Sequence, residues 1–397
     1  MYFMPYFRWC KCKSFLYSEN MDGVKKKVLL TSLFCCLLPL LFLSNHVFAA
    51  SSENEEKDRT YVSNDIGMKE LNTMLEQQKR DFENSEPFAH KDVSKLTDSD
   101  EGILLYYAFT TVDKQKLHKF TYKISDVTTY EENNKTFVEA YIVRNFVFGE
   151  EKVDTGLGDN IKLEISNNNV SKKQSLSSES KVAPKTKKSS TLHYENEGDD
   201  SSNIKLDEFL KNYNQEVEEN KELSTQQKSE KKINGAEVSA SAVKGYNRWK
   251  AMEYADKYAF SPNENYKYYK NGDCTNFVSQ ALRAGSMPYF KEWKPYTNAW
   301  INAGSFRNYI LEPGGIKMKT VKDVYTNVAL GDVYHYDTRN KIGLPRSDGW
   351  MEHTAIVTSR ANNKILVSYH TTNRHNVPRE YYTSKEGGKR YASSIRM

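Results

Sequence analysis

The sequence predicts an α+β protein of two domains, and three observations lead to this prediction. The chain has 397 residues, which is too long for one small domain and suits two domains with a linker. The stretch 167–242 is rich in Ser, Lys and Asn and has little to bury, which is typical of a polar flexible linker. On both sides of it, apolar residues recur first at helical and then at strand spacing. We therefore expect a small α+β domain over 51–166 and a second domain over 243–397, with N-terminal helices followed by an antiparallel sheet.

Residues 1–50 have the pattern of an upstream extension followed by a signal peptide. Three lysines at 25–27 precede an apolar run at 28–44, and small residues at Ala49 and Ala50 offer a cleavage site. Met21 is the expected translation start, because a charged n-region lies close to the N-terminus of such a signal. An uncleaved anchor is the alternative, since the run nearly reaches the length of a membrane span. The pattern predicts a secreted or cell-wall-associated protein that meets the membrane only transiently, through its signal.

The expected N-terminal domain has no pattern of catalytic residues. Residues 66–83 and 100–112 carry apolar side chains at helical spacing. FTYKISDVTTY and TFVEAYIVRNFVFGE predict a hairpin that turns at EENNK, and IKLEIS predicts a third strand. Within the linker, NIKLDEFLKNYNQEV predicts a short helix. Because this region shows no cluster of His, Cys or paired carboxylates, we interpret the domain as a spacer or binding module.

Charge divides the chain into unlike parts. Residues 243–397 carry a clear excess of Lys and Arg, whereas 51–242 are net acidic. A basic domain favours an anionic partner, although a solvated face is the alternative. Export would place nucleic acid out of reach, so peptidoglycan or another anionic cell-wall polymer is the expected partner.

Cys274 is the candidate reactive residue of the C-terminal domain. It is the one cysteine left after removal of 1–50, and a lone thiol in an exported chain marks a candidate nucleophile. DCTNFVSQALRAG predicts a helix that Asp273 caps and Gly285 ends. Cys274 then lies in the first turn, where the helix dipole and free N–H groups favour a thiolate and can stabilise an oxyanion. The alternative is a cysteine buried as a small hydrophobic residue.

Three strands downstream supply the histidines. GDVYHYD, WMEHTAIVTS and NKILVSYHTTN predict successive antiparallel strands, with Asn362-Asn363 turning between the second and third. His353 opens the second strand, and His370 ends the third, near it if the hairpin is in register. A Cys at a helix start, a His at a strand start and a polar group on the next strand form the papain-type arrangement. We interpret His335 and His375 as structural.

A zinc site is the alternative use of these side chains. Cys274, His353, His370 and His375 are residue types that bind zinc, but their spacing matches no familiar ligand pattern. The sequence therefore predicts no metal and no other cofactor.

Taken together, these stretches resemble a known family. YNRWKAMEYADKYA, DCTNFVSQALRAGSMP, GDVYHYD, W-x-x-HTAIVTS and VSYHTTN resemble the "putative amidase domain" family of bacterial surface proteins, which is similar to the CHAP and NlpC/P60 groups of papain-like cysteine hydrolases. The resemblance covers about 243–397. It implies a papain-like fold and an amidohydrolase that cleaves peptide or amide bonds, with cell-wall peptidoglycan as the expected substrate.

The resemblance also implies roles for individual residues. By position, Cys274 is the nucleophile, His353 the general base and His370 the third catalytic residue, with Asn373 as the alternative third residue. Asp273 and Asn276 belong to the matched motif and are expected to cap the helix and form local hydrogen bonds, and Trp350 is expected to wall the cleft. Outside the matched stretches, Trp293, Trp300 and the many tyrosines are candidates to stack on sugars or peptides. A cysteine peptidase acting on proteins and a non-catalytic wall-binding module with a vestigial site are the rival functions.

Overall fold

The structure, a computed structural model, describes part of the chain. The described residues are 59–84, 101–165, 191–194, 204–234, 245–312, 315–316, 318–338 and 349–395. The predicted upstream extension, the start at Met21, the signal peptide and most of the predicted linker lie outside them. Along the described ranges, no helix combines the length and apolar character needed to cross a bilayer.

The described residues form a mixed α+β structure around one antiparallel sheet. Its strands are β1 (Thr60–Val62), β2 (Leu117–Glu132), β3 (Lys135–Phe148), β4 (Val153–Ile165), β5 (Thr191–Tyr194), β6 (Met318–Val321), β7 (Val333–Asp337), β8 (His353–Ala361), β9 (Lys364–Tyr369), β10 (Asn373–Pro378) and β11 (Lys389–Ile395). Their order is β1-β2-β3-β4-β10-β9-β8-β7-β11-β6, and β5 pairs with β4 beside this path.

Eight α-helices accompany this sheet within the described ranges. They are α1 (Asn64–Glu83), α2 (Glu101–Tyr107), α3 (Leu206–Asn234), α4 (Arg248–Tyr258), α5 (Cys274–Ala284), α6 (Asn298–Ile301), α7 (Ala303–Leu311) and α8 (Glu380–Glu386). A π-helical turn, Ala108–Val112, extends α2. The predicted helices at 66–83 and 100–112 thus form, and the element bounds differ from the sequence prediction by a few residues.

Both predicted hairpins form at Asn-Asn turns. Asn133 and Asn134 join β2 to β3 with positive φ, and Asn362 and Asn363 join β8 to β9 in the same way. Two consecutive left-handed residues give a turn whose twist matches that of the flanking strands, and Asn tolerates this conformation. Together with a β-bulge between Val357 and Ser359, the second turn sets the register at the far ends of β8 and β9.

The strands of both halves of the chain belong to one sheet. Strand β10 pairs with β4 at Asn373↔Gly158, Arg374↔Leu157 and His375↔Gly156. The Tyr141 ring lies over Gly158, where a Cβ would meet its hydroxyl at 2.1 Å. The domain boundaries at 51–166, 167–242 and 243–397 stay a prediction. In the structure, strands of the first and third segments belong to one sheet, and side chains of both segments pack in one core.

Helix α3 arises in the stretch predicted as linker and is longer than the short helix expected there. Its buried face carries Phe209 and Tyr213, which pack with Tyr381 of α8. Asn220 donates a hydrogen bond to Glu380 at 2.9 Å. This part of the chain therefore packs against the C-terminal segment.

The sheet is covered on both faces in its C-terminal half, and this decides which side chains meet. On the α5 face, Val333 and Ile356 pack with Phe277 and Val278 of α5. On the α8 face, side chains from β7, β8 and β9 pack with α8 and with residues of the N-terminal segment (Tyr336, Ala355, Val357, Tyr369, Tyr382, Phe146). Because successive residues of a strand point to opposite faces, neighbours in β8 belong to different cores.

Candidate active site

Cys274 is the first residue of α5, as predicted, and Asp273 is the residue before it. Its side chain lies against two threonines. Sγ is 3.7 Å from the hydroxyl of Thr275, and the backbone N–H of Thr354 in β8 donates toward it, with the Thr354 hydroxyl close by. The Thr354 hydroxyl in turn donates to that of Thr275 at 3.2 Å. The thiol thus lies between the start of α5 and strand β8.

The resting thiol is held in its neutral form. Burial raises the pKa of Cys274, and the hydrogen bonds from Thr275 and Thr354, which act in the opposite direction, do not outweigh it. The sequence predicted a lowered pKa from the helix dipole. The direction is reversed because Cys274 is only 5% exposed, so that desolvation outweighs the dipole.

His353 lies on the other face of the sheet. Its ring stacks on Tyr382 of α8 at 4.2 Å between centroids, and its face is shared with Ala355 and Val357. Thr354, the next residue, points to the α5 face and contacts Cys274. Among the described residues, no hydrogen bond joins His353 to Cys274. Burial, with a smaller contribution from Lys385, lowers the pKa of His353 to about 3.

His370 reaches the α5 face, where it joins the helix start to the sheet. Nδ1 lies 2.7 Å from Oδ2 of Asp273, and Nε2 lies 2.6 Å from the carbonyl oxygen of Tyr258. Its ring stacks on Phe277 at 4.1 Å. A carbonyl oxygen only accepts hydrogen bonds, so Nε2 carries a proton, and Nδ1 is engaged by a carboxyl group. Neither nitrogen is left to take the proton of Cys274.

Asp273 and Asn276 form a hydrogen-bonded support under the helix start. Oδ1 of Asp273 accepts from Asn276 Nδ2 at 2.7 Å and from the Tyr269 N–H at 3.1 Å. Trp300 Nε1 donates to Asn276 Oδ1 at 2.8 Å. The Asp273 side chain makes no capping bond to α5, which differs from the sequence interpretation, because its oxygens bind His370, Asn276 and the preceding loop instead.

Three other predicted site residues lie away from the thiol or are buried. Asn373 donates to the Tyr141 hydroxyl at 2.8 Å, where β10 meets β4. Trp293 and Trp300 are fully buried, so their predicted stacking on substrate is wrong; they fill the core under α5.

Trp350 lies at the surface, and its predicted role as a cleft wall stays a prediction. It is 46% exposed, and its ring covers Gly304 at the start of α7 so closely that a Cβ on Gly304 would meet it at 2.2 Å.

The described residues contain no group of three or more His, Cys, Asp and Glu side chains arranged to hold a metal ion. His353 is directed to the α8 face, and His375 lies beside Asp256 at 3.0 Å. The four side chains of the alternative zinc site therefore do not converge.

Sequence reasoning missed Thr275 and Thr354 as contacts of the thiol, and it interpreted His335 as structural. If HTAIVTS is a strand, its successive side chains point to opposite faces of the sheet, so the sequence indicates that His353 and Thr354 lie on different faces. His335 pairs directly with Thr354 across β7 and β8, a register that the hairpin pattern alone does not fix.

Comparison with known proteins gives a family match in the C-terminal part of the chain and two similar proteins. Residues 245–392 match the family described as "Putative amidase domain". The chain is similar to the uncharacterized protein YjcM of Bacillus subtilis (strain 168), with 58% identity over 94% of this chain and 100% of that protein. It is also similar to the uncharacterized protein YhbB of the same organism, with 30% identity over 38% of this chain and 48% of that protein. No solved structure matches the chain.

The position of the family match agrees with the position of the site. It includes α5 with Cys274, the strands β7 to β9 and the Trp350 position. The chain therefore belongs to the same family as YjcM, and its residues 245–392 are an amidase-like domain.

Proposed function

We propose that this protein is a secreted cysteine amidohydrolase of papain-like type that uses Cys274 to cleave amide bonds in cell-wall peptidoglycan. The observation that carries the proposal is a single thiol at the first residue of a helix, fixed against an antiparallel strand inside an amidase-like domain. Nucleophilic cysteines of papain-like hydrolases have this position relative to helix and sheet.

The surroundings of Cys274 suit an acyl-transfer reaction. The first turn of α5 carries N–H groups with no partner inside the helix, and these can bind the oxyanion of a tetrahedral intermediate. The backbone N–H of Thr354 adds a donor close to the sulfur. Because the resting thiol is neutral, the reaction needs a base that removes its proton as the sulfur attacks the carbonyl carbon.

The proposed substrate and location rest on the sequence and on the exposed aromatic side chains. The basic charge of 243–397 suits an anionic polymer, and the export pattern at 1–50 would bring the protein to the wall. Trp350 and three tyrosines, Tyr268, Tyr289 and Tyr296, are partly exposed and offer flat faces for sugar rings or peptides. The buried Trp293 and Trp300 do not.

The test compares the full chain with its Cys274→Ala variant on purified peptidoglycan. We expect new free amines with the wild-type protein and a loss of more than about 100-fold in the variant. Release from a protein substrate but not from the wall would retain the chemistry and reject the substrate. Equal release by both proteins would reject the cysteine mechanism.

A non-catalytic wall-binding module is the second candidate, and the low exposure of Cys274 favours it. In that case both proteins would sediment equally with the wall and release no amines. Measuring sedimentation and amine release on the same samples separates the two functions.

A further inference from the structure

Four tyrosines lie close together in the two loops that flank α5. Tyr266 and Tyr269 belong to the loop before the helix, and Tyr289 and Tyr296 to the loop after it; we call these four residues the tyrosine platform. Tyr266 interacts with Tyr289 and Tyr296, and Tyr269 also interacts with Tyr296. Tyr289 and Tyr296 are 49% and 52% exposed, and the other two are partly buried. Adjacent rings that stay accessible to this degree offer a ligand an apolar surface with polar edges.

The buried side chain of Trp300 joins the tyrosine platform to the start of α5. Its ring lies 6.2 Å from that of Tyr266 and 6.0 Å from that of Tyr289, measured between centroids. Its Nε1 donates a hydrogen bond to Oδ1 of Asn276 at 2.8 Å. Because Asn276 lies in the same helical turn as Cys274, a ligand on the platform is held in a fixed position relative to the thiol.

The backbone of Tyr296 is strained. Its φ is +75°, in the left-handed region that bulky side chains rarely adopt and that Asn and Gly adopt more readily. About half of the side chain is exposed, so packing in a core does not explain why a tyrosine is at this position. Strained residues are concentrated at active sites and ligand-binding sites, where the surrounding structure holds them in place. The strain therefore points to a function for the exposed ring.

Positive charge surrounds the tyrosine platform. Arg283 lies 4.4 Å from the ring centre of Tyr289, and Lys267 lies 5.1 Å from that of Tyr269. Over residues 261–297, cations outnumber carboxylates among the side chains that are not buried (Lys267, Lys270, Arg283, Lys291 and Lys294 against Glu264 and Glu292). Aromatic faces beside cations suit a ligand that has both ring-shaped apolar faces and negative charge.

We propose that the tyrosine platform binds an anionic glycan, namely the sugar strand of peptidoglycan, an inference that rests on the proposed amidohydrolase function. The C–H groups of sugar rings pack against the exposed rings of Tyr289 and Tyr296, whose π faces carry partial negative charge. The guanidinium of Arg283 pairs with a carboxylate of the strand. A glycan fits better than a peptide, because each sugar ring presents a flat face of C–H groups.

The first test measures the binding of peptide-free peptidoglycan strands, which keep their carboxylates, to the full chain by titration calorimetry. We expect Tyr289→Leu to weaken binding at least about fivefold, because it removes an aromatic contact. Tyr289→Phe keeps the ring and should bind as wild type does. Tyr61→Leu, at a tyrosine of β1 that is 58% exposed, is the matched control and should also keep wild-type affinity. Wild-type affinity in Tyr289→Leu would overturn the proposal.

Tyr296→Asn separates ligand binding from a role in the fold. Asn tolerates positive φ, so we expect a melting temperature that is unchanged or higher, together with glycan affinity that is at least about fivefold lower. A variant that keeps wild-type affinity would overturn the proposal whatever its melting temperature. If stability and affinity fall together, the comparison of Tyr289→Leu with Tyr289→Phe decides.

The charge of the ligand is tested with chitohexaose, a sugar oligomer that has N-acetyl groups and no carboxylate. We expect it to bind at least about fivefold more weakly than peptidoglycan strands of similar length. Arg283→Gln should weaken binding of the strands and leave chitohexaose binding unchanged, whereas Arg80→Gln, at an exposed arginine of α1, should change neither. Equal affinity for the two sugars, or binding of released wall peptides without binding of the strands, would overturn the proposal.

These measurements are separate from the test of the proposed function, because the peptide-free strands contain no peptide bond. If amine release is the same in wild type and Cys274→Ala, the hydrolase function fails while glycan binding stands. If the strands do not bind and amine release depends on Cys274, the hydrolase function stands and this inference alone is rejected.

Discussion

Three histidines near one strand pair have three different environments. His370 has both ring nitrogens engaged, His353 is enclosed by the rings of Tyr369 and Tyr382, and His335 has neither nitrogen paired. Residue type alone does not assign a role to any of them. The face of the sheet on which each ring lies and the partner of each nitrogen limit what each histidine can do, because a base needs a free nitrogen directed at the proton it removes.

The burial of His353 predicts how stability depends on pH. With a pKa of about 3 in the folded protein and about 6.5 in the unfolded chain, His353 binds a proton only in the unfolded chain between these values. The free energy of unfolding therefore falls as pH falls from about 6.5 toward 3, by about 1.4 kcal/mol per pH unit from this group.

Urea unfolding of wild type and His353→Phe at pH 7, 6 and 5 measures this contribution. Between pH 6 and pH 5, we expect the free energy of unfolding to fall by about 1.4 kcal/mol more in wild type than in His353→Phe. The difference at pH 7, where the imidazole is neutral in both states, is the baseline. Parallel curves would show that His353 takes up protons in the folded protein.

Among the elements, α3 is the one whose role differs most from its sequence pattern. Its overall composition is polar, yet Phe209 and Tyr213 are fully buried, and Phe209 lies edge-on to Tyr381 at 5.5 Å. Glu216 forms an ion pair with Arg390 of β11. A few anchor residues at helical spacing dock a helix whose remaining surface faces solvent.

Phe209→Ala is the prediction for this element. Removing a buried phenylalanine costs about 3–5 kcal/mol, so we expect a loss of stability of this order and faster proteolysis within 206–234. Leu223→Ala, at a residue of the same helix that is 45% exposed, is the matched control and should change stability by less than about 0.5 kcal/mol. Equal effects of the two changes would mean that α3 is not docked in solution.

At the scale of the whole molecule, buried charges join the N-terminal and C-terminal segments. Glu101 of α2 lies 2.6 Å from Arg374 of β10 and 3.0 Å from Lys385 of α8, and Asp159 of β4 lies 2.9 Å from Arg374. Burial opposes ionisation of Glu101, but the two cations outweigh it and hold its pKa well below the usual range. Removing one partner of such a network leaves an uncompensated buried charge, so the segments depend on each other.

A shortened chain beginning at residue 245 tests this dependence. It keeps the whole amidase-like match but loses α2, α3 and β4, which is one of the two strands that pair with β10. The loss removes Glu101 and Asp159, the carboxylate partners of Arg374, and uncovers the α8 face. We expect it to aggregate or to bind the dye ANS, whereas a chain beginning at residue 59 should unfold cooperatively. A soluble shortened chain with a cooperative transition would contradict the prediction.

The comparison of sequence and structure shows where pattern reasoning succeeds. Asn362-Asn363 predicted the β8–β9 hairpin, and Asp273 and Gly285 predicted the bounds of α5, because turns and helix ends depend on local residues, although the Asp273 side chain makes no capping bond to α5. The face of β8 that meets Cys274 was not predictable in this way. Both faces of β8 are buried, so apolar periodicity cannot tell which one faces the helix. The pairing of β4 with β10 joins residues more than 200 positions apart, which no local signal encodes.

The place of β11 in the sheet has a consequence for biosynthesis. Strand β11 lies between β7 and β6, and its residue Tyr391 pairs with His335. Until Lys389–Ile395 has been synthesised, β7 therefore lacks its neighbour on one side. Closing a sheet through pairings so distant in sequence is slow compared with forming local hairpins. The thiol and its surroundings should consequently be assembled late, so that a nascent chain carries the cysteine before the structure around it is complete.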